Sequence, residues 1–201
     1  MSFNLGEIKI KISFLFCAVI CLIAFFDKGY MMPAFLSVCA HEGAHLLAML
    51  LLGERVREVS FEPFGILIKR ESEGGEFYKN LIIALAGCIL NFFVFLILFA
   101  VHKFCENEQI LVISAINLAL FIINILPVSG LDGAQVLKLV LEKYKSEEIA
   151  DSTGKIVSVI TSGIVLIFGV IIYFKVRQNP SLILLSLYLL FQSVSNQLKK
   201  W

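Results

Sequence analysis

The sequence predicts an all-α membrane protein of about six transmembrane helices joined by one short membrane-associated β-hairpin. Three observations predict it: 59% of the 201 residues are hydrophobic, only 16% are charged, and the charge is confined to short stretches between long apolar windows. A soluble domain carries roughly 25% charged residues, so a mean hydropathy of +0.89 points to lipid as the main solvent. A net charge of +1 gives no electrostatic footprint for a nucleic-acid partner. No repeat, low-complexity tract or long linker divides the chain, so a single membrane-embedded domain over residues 1–201 is expected.

A bilayer span needs ~20 mostly apolar residues, and six windows meet or approach that length. The first, Ile12 to Phe26, lies between Lys9 and Lys11 on one side and Asp27 and Lys28 on the other. It resembles a signal peptide in its basic flank, but no small-residue cleavage site follows it, so it reads as a retained anchor. The second, Gly29 to Gly53, carries one charge in its middle, Glu42. The third and fourth, Asn80 to Val101 and Ile110 to Leu131, contain no Asp, Glu, Lys or Arg. Ile156 to Phe174 is the fifth. The sixth, Pro180 to about Ser195, starts at a proline where a helix tolerates one. Six spans put most basic loop residues on one side, among them Arg55, Arg57, Lys69, Arg70, Lys79 and Lys138, so both termini are expected to face the cytoplasm.

Between the second and third windows, Glu54 to Lys79 is too short for a separate domain. Val59 and Phe61 alternate with polar residues there, and after Pro63 the apolar Phe64, Ile66 and Ile68 recur at period two with Gly65 at the bend. This is a hairpin pattern. The cysteines Cys17, Cys21, Cys39, Cys88 and Cys105 lie in or beside apolar windows without the spacing of a thiolate metal site, and read as small buried hydrophobes.

The chemistry is concentrated at His41-Glu42-Gly43-Ala44-His45, which fits the H-E-x-x-H pattern. At 3.6 residues per turn, His41 and His45 project from one helix face one turn apart, so both imidazoles can reach one zinc ion. Glu42 is rotated off the pair and is placed to take a proton from water activated by the metal. An ionisable group at the centre of a span costs at least ~2.5 kcal/mol on insertion scales. Three such groups within five apolar-flanked positions therefore call for a compensating partner, and a divalent metal is one.

A catalytic zinc site usually takes three protein ligands. His102 ends the third window beside Lys103, at the depth of an interfacial side chain. Asp132 is the better candidate. It lies in Asn124-Ile125-Leu126-Pro127-Val128-Ser129-Gly130-Leu131-Asp132-Gly133, where the proline and two glycines should break the helix, and broken backbone at membrane depth survives only where protein or a watery cavity surrounds it. The competing reading makes Asp132 the cap of a helix starting near Gln135.

These residues together resemble the site-2 proteases, intramembrane zinc metalloproteases that cut membrane-anchored proteins. The resemblance rests on the H-E-x-x-H helix, on the later Asn124, Pro127 and Leu131-Asp132-Gly133, and on Gly87 and Asn91 between them, spanning Gly29 to about Leu141. It implies one catalytic zinc held by His41, His45 and Asp132, with Glu42 as general base and then proton donor to the leaving amine. It also implies a membrane-anchored or membrane-associated protein substrate, a regulatory membrane protein as a further partner, and a hairpin whose free edge pairs with an unwound substrate. Asn124 reads equally as a hydrogen-bond donor to the substrate carbonyl or oxyanion and as interhelical glue. For Asn91 the glue reading leads, and Gly87 reads as a point of close helix approach.

Within the family, the early zinc motif and the lack of an inserted PDZ-like region are most similar to the sporulation branch, whose substrate is a membrane-associated sigma-factor precursor. That branch usually continues into a nucleotide-sensing CBS domain, which is not found here before Trp201, and Gly133-Ala134 replaces a frequent double glycine. Rival readings are a zinc protease of the prenyl-protein or heat-shock type, with Glu142, Glu147 or Glu148 as third ligand, and a non-catalytic metal-binding membrane scaffold. The scaffold has no need for Glu42.

Overall fold

The computed structural model describes residues 2–5, 8–14, 16, 29–62, 65–70, 76–176 and 181–198. The window Ile12 to Phe26, Cys17, Cys21, Pro63, Phe64 and Pro180 fall wholly or mainly outside them. The chain forms two compact units, Met1–Ile122 and Ile123–Trp201, each of which is described by itself.

The first unit contains strands β1 (Ser2–Leu5) and β2 (Ile8–Ile12), helix α1 (Met31–Leu51), strands β3 (Val56–Glu62) and β4 (Gly65–Arg70), helix α2 (Phe77–Cys105) and most of α3 (Glu108–Asn124). The expected hairpin is β3 with β4, paired antiparallel from Val56 with Arg70 to Glu62 with Gly65, with an irregularity between Val56 and Glu58. The expectation of an otherwise all-helical chain is corrected by the N-terminus. There β2 pairs parallel to β3, and β1 antiparallel to β2, making a four-stranded sheet in the order β1-β2-β3-β4. The physical reason is in Ile8-Lys9-Ile10-Lys11-Ile12, whose strict alternation is a strand period. Ile12 therefore ends a strand and does not begin a span.

Lys11 also binds the sheet together by charge. Its Nζ lies 2.7 Å from one Glu58 carboxylate oxygen, and Lys69 Nζ from β4 lies 3.4 Å from the other. The sheet packs against the end of α1 and the start of α2 through Met49, Val56, Val59 and Ile83, with Leu46, Leu52, Phe61 and Ile68 around them.

Helices α1 and α2 are built inside out relative to a soluble protein. On α1 the buried positions are Ser37, His41, His45 and Met49, one every four residues along a single face, while Leu36, Leu47, Leu50 and Leu51 are exposed. On α2, Asn91 is buried and Phe93 and Ile97 are exposed. Polar groups inside and apolar groups outside are what a lipid solvent selects. At its far end α2 stops sharply: Glu106 takes a left-handed φ of 49°, and Asn107 Oδ1 accepts from the backbone N–H of Gln109 and Ile110, capping α3. His102 Nδ1–H donates to the Asn107 carbonyl at 3.0 Å, which places it at the helix end and not at a metal. Helix α3 is tied back through Ser114 Oγ to the Phe95 carbonyl, and through Asn117 Nδ2 to Ser37 Oγ at 3.1 Å.

The second unit contains the end of α3, then α4 (Asp132–Tyr144), α5 (Glu147–Val176) and α6 (Ser181–Leu198). The apolar window Ile110 to Leu131 is only partly helical, because α3 stops at Asn124 ahead of Pro127. The segment from 125 to 131 then turns, with Gly130 at a φ of 94° that glycine alone adopts without strain. Among the described residues three helices are long and apolar enough to cross a membrane: Met31–Leu51, Phe77–Cys105 and Glu147–Lys175. The 17-residue α3 is a shorter apolar helix.

Candidate metal centre

The two histidines sit where α1 meets α2. Their spacing of four places both on the buried face of α1, and Nε2 of His41 lies 3.2 Å from Nε2 of His45. The far nitrogens are held by the neighbouring helix. His45 Nδ1–H donates to the Ile83 carbonyl at 2.7 Å, which fixes the proton on Nδ1 and leaves Nε2 of the neutral ring with a lone pair. His41 Nδ1 lies 2.9 Å from Nδ2 of Asn91, which donates to it. Asn91 is fully buried. The amide read first as interhelical glue thus touches a candidate ligand directly.

Gly87 explains how α2 comes so close. A Cβ built on it would lie 2.5 Å from His45 Nε2 and 2.6 Å from His41 Nε2. Only a residue with no side chain leaves both nitrogens their space, and the gap it preserves is the place where they converge. Glu42, the next residue after His41, is partly buried and points away from the imidazole pair by the ~100° that separates neighbours on a helix.

The remaining sequence candidates lie in the second unit. Asn124 closes α3, partly buried, and Asp132 is the first residue of α4, with Leu131 in the capping position. Asp132 is therefore not the helix cap; its carboxylate lies in the first turn, where the helix dipole favours negative charge. The segment leading to it is anchored by a relay that the sequence did not suggest. The Ser129 N–H donates to Ser158 Oγ at 2.8 Å, Ser158 lies 2.8 Å from Ser193 Oγ, and Ser193 donates to the Leu189 carbonyl at 2.8 Å. Ser193 has one proton and spends it on Leu189, so Ser158 must donate to Ser193. Ser158 and Ser193 are fully buried, and their pairing across α5 and α6 is the polar contact that spans use in lipid.

A cavity of about 340 Å³ in this unit is lined by Ser129, Gly130, Gln135, Lys138 and Asp151. Lys138 bridges Asp151 at 3.0 Å and Glu142 at 3.5 Å, and the Asp151 hydrogen bond above all raises its pKa. Glu142, a rival third ligand, is thus occupied by an ion pair, and Glu147 and Glu148 are exposed at the start of α5.

The donor set suits zinc. Two buried imidazoles one helical turn apart are usual ligands of that ion; His45, whose Nδ1–H is held by the Ile83 carbonyl, already offers Nε2, and the Gly87 gap is space a Cβ would fill.

The model of Peptidase family M50 matches residues 103–168, the stretch that includes Asn124, Pro127 and Asp132. A zinc metalloprotease of Methanocaldococcus jannaschii is 28% identical over 169 residues, covering 78% of this chain and 46% of that protein. The chain spans less than half the length of the curated relatives it matches. A solved site-2 protease from Methanocaldococcus jannaschii matches with a TM-score of 0.60 at 21% identity, over 97% of this chain and 94% of that one, and establishes the likeness of fold. Over residues 103–168 the chain is similar to Peptidase family M50, along most of its length it is similar to a curated zinc metalloprotease, and its fold is like that of a site-2 protease.

Proposed function

We propose that the chain is a zinc metalloendopeptidase that hydrolyses a peptide bond within or beside the bilayer, in a membrane-anchored or membrane-associated protein. The observation that carries the reading is the convergence of His41 Nε2 and His45 Nε2, 3.2 Å apart on a buried helix face, beneath a glycine that keeps the space around them open. Asp132 is the third ligand: two imidazoles leave a catalytic zinc one protein donor short, and the broken segment from 125 to 131 delivers a carboxylate at a helix start. Zinc held by these three residues supplies Lewis acidity toward water and toward a carbonyl.

The chain's own groups do the rest. Glu42 accepts the proton that water loses as its oxygen bonds to the carbonyl carbon, and then delivers that proton to the amide nitrogen as the C–N bond breaks. Asn124 offers an amide N–H to the oxygen that gains charge. The β4 edge, with β3 on its other side in the sheet order, pairs with the substrate as an added strand. An extended substrate is required because a helix keeps its carbonyls in its own hydrogen bonds. The branch assignment, with a sigma-factor precursor as substrate and both termini cytoplasmic, is supported by the early motif and the distribution of basic residues.

The test uses the full chain purified with zinc, alongside Glu42→Gln and Asp132→Ala. Glu42→Gln keeps zinc and loses cleavage of a membrane-anchored reporter by on the order of 10²–10⁴-fold, whereas Asp132→Ala loses both. Undiminished cleavage by Glu42→Gln overturns the mechanism. Zinc retained in Asp132→Ala but lost in Glu148→Ala moves the chain to the prenyl-protein or heat-shock type of site.

A further inference from the structure

His41 cannot present Nε2 to a metal in the arrangement that its present hydrogen bonds describe. Nδ1 of the ring accepts from Asn91 Nδ2 at 2.9 Å, so the ring proton lies on Nε2, where it points at the lone pair of His45 Nε2 3.2 Å away. That pairing gives each Nε2 a partner. A ligand pair needs the opposite tautomer at His41, with the proton on Nδ1 and an acceptor facing it.

The acceptor is already present in the same side chain. Asn91 Oδ1 is buried and has no hydrogen-bond partner among the described residues, and a buried amide oxygen left unpaired costs about 1–3 kcal/mol. Half a turn about the Cβ–Cγ bond exchanges Oδ1 and Nδ2 with almost no change of shape, and brings Oδ1 to His41 Nδ1. The ring that the amide faces decides which of its two atoms is paired with Nδ1. On the reading that His41 and His45 hold zinc, we propose that Asn91 is a positioning residue that selects the tautomer of His41. Its Nδ2 faces Nδ1 in the arrangement seen, and its Oδ1 accepts Nδ1–H when both Nε2 atoms face the metal. Metal loading is thereby coupled to a single amide rotation.

The chain has three histidines, so imidazole ¹⁵N spectra of the full chain in nanodiscs, with His41→Gln and His102→Gln used for assignment, report the tautomer directly. The expected result is a proton on Nε2 of His41 without metal and on Nδ1 with zinc. The same tautomer in both states overturns the proposal. Chelator competition gives a second readout. Asn91→Asp, an acceptor in either orientation, binds zinc at least as tightly as the parent, and Asn91→Leu, similar in size with no acceptor, binds about 10–100-fold more weakly. Parent-like zinc affinity in Asn91→Leu also overturns it. If Asn91→Leu fails to fold, the spectra of the parent chain decide. A parent chain that takes up no zinc, or whose uptake survives His45→Ala, defeats the underlying zinc reading instead, and is a different result from either.

Discussion

Gly87 lies against His45 so closely that a single added carbon on the glycine would stand 2.5 Å from the histidine's Nε2. The contact is between a helix backbone and the working end of an imidazole, so neither partner can yield without displacing the site. Gly87→Ala is expected to keep its membrane helices, since alanine favours a helix more than glycine does. It is expected to lose zinc affinity by more than 10-fold, with overpacking costing about 1–3 kcal/mol of stability. Circular dichroism with a chelator titration checks both halves, and unchanged zinc affinity would show that the gap is not needed.

Removal of zinc is expected to abolish cleavage reversibly and leave the fold in place. The imidazoles have a partner for each nitrogen in the arrangement described above, so no buried nitrogen of His41 or His45 is stranded. Zinc at a hundred times its dissociation constant should stabilise the protein by about 2.7 kcal/mol. Thermal unfolding with and without chelator measures this, and helix loss on chelation alone would contradict it.

Ser158→Ala removes the acceptor of the Ser129 N–H and the donor to Ser193 together. Leaving such groups unpaired costs about 1–3 kcal/mol. Hydrogen exchange should rise first at Ser129 and its neighbours in the segment before Asp132, with α1 and α2 unaffected. Unaltered exchange at Ser129 would mean that the relay does not hold this segment.

Acid should loosen the sheet before it disturbs the helices. Glu58 is held at a pKa of about 2, chiefly by its hydrogen bond to Lys11 with help from Ser60 and Lys69, below the ordinary glutamate value near 4.3. Because the folded-state pKa is the lower one, the stabilisation is complete above about 4.3 and disappears as pH falls from there through about 2. Protection of the β2 and β3 amides, taken relative to their intrinsic exchange rates at each pH, should therefore fall across that interval in the parent chain, and be lower and nearly constant across it in Glu58→Gln. Parallel profiles in the two proteins would refute the assignment.

How much of this was legible follows from range. The histidine pair is a local feature, decided by helical periodicity within five residues, and the break after Asn124 is announced by Pro127 and Gly130. The β3–β4 hairpin is also local and showed in the alternation on either side of Gly65. The partners of these features are not local. Nothing in the order of residues says that the face of α2 bearing Gly87 and Asn91 meets the face of α1 bearing His41, so the amide was read as general glue. Ser158 and Ser193 are ordinary small residues until two helices put their hydroxyls together. The strands β1 and β2 were missed for another reason: lysines beside isoleucines read as the basic flank of an apolar span, and that signal competed with the period-two alternation.

The polar stripe on α1 also bears on how the protein is made. Over its most apolar stretch α1 has a mean hydropathy of 1.5, against 2.9 for α2 and 2.6 for α5, and the difference is largely the buried side chains that the site requires. A nascent α1 facing lipid alone exposes Ser37, His41 and His45, whose partners on α2 and α3 are synthesised 38 to 80 residues later. Its partition into the bilayer is therefore the weakest of the three, and it gains from waiting at the insertion machinery until α2 arrives as a companion. The residues that equip the chain for chemistry thereby set the order of its biogenesis.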